Sequence, residues 1–133
     1  MRPRASSNKN DWAPRCAEIA HGGLSALAAA ADGELARDPS LRRLLKAVAK
    51  EASGAAASAG LRVTGNPALL ALDWCRRHPN HRHPWQNALR QGRKTGAAAA
   101  FEPLLKAARR KNTPAPKLAI IGEVLRRLDR KRK

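Results

Sequence analysis

Four side chains able to bind metal or exchange protons fall within nine residues of this chain: Cys75, His78, His81 and His83, in the pattern C-x2-H-x2-H-x-H. Thiolate and imidazole are ligands for zinc and other borderline-soft metals, but structural zinc folds supply them as two separated pairs. Here they form a single run broken by Pro79, so no metal site is assigned. The run reads as a solvated turn whose imidazoles titrate at about pH 6.5. Cys16 and Cys75 are read as structural or neutral thiols, since no secretion signal places the chain where a disulfide would form.

A second chemistry is cationic. Lys106, Arg109 and Arg110 stand at i, i+3 and i+4, and Arg126, Arg127 and Arg130 cluster in the same way ahead of a Lys131-Arg132-Lys133 tail. Such faces can contact phosphates. With 27 basic and 10 acidic residues the net charge is +17, enough to attract polyanions nonspecifically at low salt. No base-stacking aromatics or nucleic-acid-reading motif accompany the charge. The excess of Arg over Lys beside abundant Ala is also what GC-rich coding produces, which weakens charge as a sign of function.

The elements that must position these groups read as helices throughout. The chain has 133 residues, room for one domain, and its 43% hydrophobic content is mainly Ala and Leu with only 3% aromatics. Its core is expected to be Leu and Ala at close helix spacing. Residues 1–10 are polar and basic and read as a disordered arm, 11–128 as the helical domain, and 129–133 as a basic tail. Asp11 is a candidate N-cap for a first helix to about Ala31, with Gly22-Gly23 permitting a kink or close approach and Asp32-Gly33 making a turn.

Asp38-Pro39 and Asn66-Pro67 each combine an N-cap with proline at the first helical position. They open helices that end at Gly60 and at His78-Pro79. His83-Pro84 starts a further helix to Gly92, Thr95 caps one from about Gly96 to Lys111, and Pro114-Ala115-Pro116 leads into the last. No segment alternates with the period of a strand, so the fold class is all-α with about six helices. No apolar run approaches the roughly 18 residues of a membrane span and no apolar leader is present. The cytoplasm is the expected compartment.

Two segments carry a family resemblance. Trp12 to Leu35, through Trp12, Leu24, Ser25, Ala26 and the Gly33-Glu34-Leu35 end, resembles the first helix of the ketopantoate reductase C-terminal domain. Trp85 to Thr95 is similar to that family's M-x-Q-D-x-x-x-G-R-x-T run, and Thr113-Pro114-Ala115-Pro116 to its I-P-T-P turn. The resemblance covers about Asp11 to Leu128. It implies the ketopantoate reductase/6-phosphogluconate dehydrogenase C-terminal-domain-like fold, a domain that closes over substrate and contributes to dimer contacts in an NADP-dependent enzyme.

The same resemblance implies lost chemistry. The family's proton-donating Lys falls on Pro14 and its catalytic Glu on Gly96. Its substrate-holding polar positions fall on Glu18, Gly22, His81, Pro84, Ala98 and Phe101, with the second member of an Asn-Gly pair on Glu102. Losing acid, base and substrate amides together removes proton transfer and electrostatic stabilisation. The sequence also lacks a Gly-rich strand-to-helix phosphate turn, so NADP would have to come with a separate nucleotide-binding domain. The expectation is a catalytically inactive ligand-binding or protein-association module, a homodimer or partner-binding protein. The alternatives are a basic nucleic-acid-binding protein and the substrate half of a split reductase.

Overall fold

Small side chains set the packing. On one long helix Ala49, Ala52, Ala55 and Ala56 are fully buried beside Leu45 and Val48, a surface flat enough for neighbouring helices to approach closely. The computed structural model describes residues 10–132. Among them are seven helices and no strand: α1 (Ala13–Ala28), α2 (Asp32–Arg37), α3 (Pro39–Ser58), α4 (Pro67–Arg77), α5 (Pro84–Arg90), α6 (Ala98–Arg110) and α7 (Pro116–Arg130). The basic arm read at the N-terminus lies, apart from Asn10, outside the described residues. None of these helices is long and apolar enough to cross a membrane.

α1 is the central element, packed against α2, α3, α4, α5 and α7. From Ala13 to Ala26 it is buried except at Pro14, Arg15 and Glu18, which share one face open to solvent. Gly22 and Gly23 serve close approach. A Cβ at Gly22 would sit 2.8 Å from the His83 ring, and one at Gly23 would sit 2.9 Å from Ile121. Phe101 on α6 is wedged against the far side, 1% exposed, beneath Gly23 and Gly122.

The proline starts behave as their sequence suggests. Asp38 accepts from the backbone N–H groups of Ser40 and Leu41, and Asn66 from those of Ala68 and Leu69. Gly60 and Asn112 take left-handed backbone at the ends of α3 and α6. Asp11 lies two residues ahead of α1. Its carboxylate accepts from Ala13 N (3.0 Å), Thr64 N (3.1 Å) and the Thr64 hydroxyl, pinning the start of α1 to the α3–α4 connection.

The structure has one helix more than expected, because Asp32-Gly33 opens α2 and does not form a turn. The reason is local hydrogen bonding. The free N–H groups of Asp32 and Gly33 donate to the carbonyls of His81 and Pro79, both at 2.9 Å, and Glu34 accepts from Ala31 N. The first helix accordingly stops at Ala28, short of Ala31. The last helix takes in Asp129 and Arg130.

Candidate functional site

α1 presents Pro14, Ala17, Glu18 and His21 at i, i+3, i+4 and i+7. α4 presents Leu70, Trp74 and Arg77 at i, i+4 and i+7. With His81, His83 and Pro84 from the α4–α5 loop, they line a cavity of about 640 Å3. That volume is in the range of small-molecule sites. It has an aromatic wall: His21 stacks on Trp74 with centroids 5.5 Å apart, and His81 and His83 meet His21 edge-on.

The wall is fixed from behind by Asp32, which is fully buried at the start of α2. Its Oδ2 accepts from Trp74 Nε1 at 3.1 Å and from His81 Nδ1 at 2.9 Å. His21 Nδ1 lies 3.5 Å from the same oxygen, too far for a well-formed hydrogen bond, and it is left without a partner, as is Asp32 Oδ1. Burial pushes the His21 imidazole down to about 4, so His21 is neutral at ordinary pH.

Glu18 and His83 form the second polar contact. His83 Nδ1 accepts from Trp85 N at 3.1 Å, which leaves Nε2 as the N–H that donates to Glu18 Oε2 at 2.9 Å. That hydrogen bond holds the Glu18 carboxyl below its usual range, outweighing the desolvation that would raise it. The Glu18 side chain is 59% exposed whereas that of His83 is 4% exposed, so the carboxylate reaches outward from a fixed imidazole.

The Cys75-to-His83 run is therefore not the solvated turn expected of it. His83 and Cys75 are buried, and His81 is half-buried. His78 Nδ1 donates to the Trp74 carbonyl at 3.0 Å while its ring stacks on Trp74. The Cys75 thiol is pushed up to about 12 by burial. Among the described residues no group of three or more His, Cys, Asp or Glu is arranged to hold a metal ion. Cys16, also buried, is likewise a free thiol.

Of the positions singled out by resemblance, the structure brings Pro14, Glu18, His81 and Pro84 to this one cavity. Gly22 and Phe101 do not line it: both are interior, where they let α1, α6 and the His83 ring pack. Gly96 and Ala98 lie at the start of α6, where Gly96 N donates to Asp129 Oδ2 at 2.9 Å. Thr95 joins the same carboxylate through its N–H and hydroxyl and accepts from Ala97 N. Glu102 on α6 is paired with Arg126 at 3.2 Å.

The basic face expected on α6 and α7 is split. Lys106, Arg109, Arg110 and Arg127 are exposed. Arg126 and Arg130, however, are drawn into ion pairs with Glu123, at 3.7 and 3.6 Å. The sequence reading missed His21, Asp32, Trp74 and Arg77 as site residues. The signal available was the i, i+4, i+7 stripe from Pro14 to His21 and its counterpart on α4.

Gln86 and Gly33 have interior roles. Gln86 is 1% exposed; its amide nitrogen donates to Ser25 O (2.6 Å), Ser25 Oγ (2.8 Å) and Ala30 O (2.9 Å), tying α5 to the end of α1. A Cβ on Gly33 would meet Pro79 at 2.7 Å, which explains glycine there. Among the described residues, fold and cavity define an all-helical domain with an aromatic-walled cavity between α1, α4 and the α4–α5 loop. The sequence matches the family described as "Ketopantoate reductase PanE/ApbA C terminal" over residues 10–129, and the chain belongs to that family. A similar solved structure is the PanE/ApbA family ketopantoate reductase from Ralstonia eutropha JMP134, with a TM-score of 0.79 at 18% identity. The likeness covers 90% of this chain and 40% of that one. No curated protein matches the sequence.

Proposed function

We propose that this domain is a ligand-binding member of its family that has lost the proton-transfer chemistry, working in the cytoplasm. The observation that carries the reading is the state of the cavity. Its walls are built, with a buried carboxylate fixing the aromatic rings, yet Pro14 lines it where the resemblance puts the acid, and Gly96, outside it at the start of α6, stands where the resemblance puts the base. Neither side chain can exchange a proton. Residues 10–132 contain no strand-to-helix phosphate turn, so they do not fit NADP, and no reduction step is derived from them.

The test is NADPH-linked reduction of ketopantoate by the chain, alone and with a nucleotide-binding domain from a family member added. No turnover in either case is expected. Turnover that depends on the added domain would restore the split-reductase alternative. A homodimer is the association we propose, through the exposed Ile120 and Val124 one turn apart on α7, and sedimentation at two concentrations tests it.

A second reading has its own observation: Lys106, Arg109, Arg110 and Arg127 are exposed and make no ion pair among the described residues. It predicts nucleic-acid binding that weakens steeply with salt and shows little sequence preference. Binding that is absent or insensitive to salt eliminates it.

A further inference from the structure

Five ionisable side chains line the cavity: Glu18, His21, Arg77, His81 and His83. They do not contribute equally. His21 is held neutral by burial, and His83 accepts at Nδ1, so it too is an uncharged ring whose one N–H is committed to Glu18. Arg77 is engaged from outside the cavity, its Nε 3.0 Å from Asp73 Oδ2 one turn back on α4. His81 points Nδ1 away, at Asp32. Among the described residues, the formal charge on the wall that meets no charged partner is the Glu18 carboxylate, which shares the cavity with the Trp74 indole, three imidazoles and the apolar Pro14, Ala17, Leu70 and Pro84.

A carboxylate fixed by one N–H, with no further hydrogen bond among the described residues, beside an aromatic and apolar wall, is an environment that attracts an organic cation. A carboxylate ligand would meet like charge at Glu18, and the guanidinium that lines the cavity, Arg77, is in an ion pair with Asp73. We propose that the cavity binds a small organic cation, an ammonium group carried on a hydrocarbon body, with Glu18 as its counter-ion and the aromatic and apolar wall, Trp74 and Leu70 among it, against the hydrocarbon body. This deepens the proposed function and rests on the cavity being a ligand site. It also sets the ligand class apart from an acid substrate such as ketopantoate.

The matched probes are benzylamine and benzoate, which share a ring and differ in the sign of charge. Binding to the full chain near neutral pH is followed by the NMR shift of the Trp74 indole N–H, with circular dichroism confirming the fold of each variant. Benzylamine is expected to shift Trp74 saturably, and Glu18→Gln, altering a mostly exposed side chain, is expected to weaken it tenfold or more. Saturable binding of benzoate in preference to benzylamine overturns the cation assignment while keeping a ligand site. An undiminished benzylamine affinity in Glu18→Gln overturns the role of Glu18. No shift with either probe overturns both this inference and the ligand-binding reading beneath it.

Discussion

Two regions of this domain differ in what constrains their residues. In the seam where α1, α2 and α5 meet, side chains are interior and hydrogen-bonded or closely packed: Ser25 to Gln86, Asp32 to Trp74 and His81, Gly33 against Pro79. On the solvent-facing side stand Pro14, Glu18 and Gly96, all exposed, the positions to which the resemblance assigns the family's working residues. Removing a buried hydrogen-bonding partner strands the group it served, whereas an exposed position can change with little cost to folding. Folding alone is enough to retain the seam. On the proposed reading, catalysis does not constrain the exposed positions.

The largest expected effect separates the regions at Phe101, a position the resemblance assigned to a substrate pocket but which lies in the core. Phe101→Ala should destabilise the protein by about 3–5 kcal/mol, because the ring fills the space left by two glycines. The expected benzylamine affinity of the folded fraction is unchanged. Urea unfolding and NMR titration check the two halves; a ligand defect without loss of stability would move Phe101 from the seam to the wall.

His21 belongs to both regions, and pH tests it. Its folded value of about 4 lies below the ordinary imidazole value of about 6.5. Between these values the unfolded chain binds a proton that the folded chain refuses, so stability is full above about pH 6.5, falls as pH drops, and levels off below about 4. The loss from this group is about 3 kcal/mol over that window. Unfolding midpoints measured across the window should show it, and His21→Phe should flatten the curve.

Legibility in the sequence followed the range of the interaction. Asp38-Pro39, Asn66-Pro67 and His83-Pro84 marked true helix starts because capping is settled within three residues. Asp32-Gly33 was misread because α2 depends on carbonyls of Pro79 and His81, nearly fifty residues away. For the same reason the histidine run looked solvated: nothing near it in sequence shows that Asp32 and Glu18 will meet His81 and His83. Spacing alone also placed Arg126 and Arg130 on a free basic face, while the acids that engage them come from Glu102 and Glu123.

The smallest effects come from putting the family's residues back, and the two positions should not respond alike. Gly96 has φ +71, so Gly96→Glu forces a left-handed backbone on a side chain and should cost about 1–2 kcal/mol. Its loop has been rebuilt around glycine. Pro14 is exposed in the first turn of α1, where any helix former fits, so Pro14→Lys should change stability by no more than about 0.5 kcal/mol. The new amine, four residues before Glu18, gains an attractive helical pair that offsets its unfavourable place near a helix N-terminus. It would also occupy the carboxylate, so benzylamine binding should weaken in Pro14→Lys while the unfolding midpoint stays fixed. A variant that loses stability and keeps amine affinity would place Pro14 with the seam and dissolve the distinction between scaffold and wall at the start of α1.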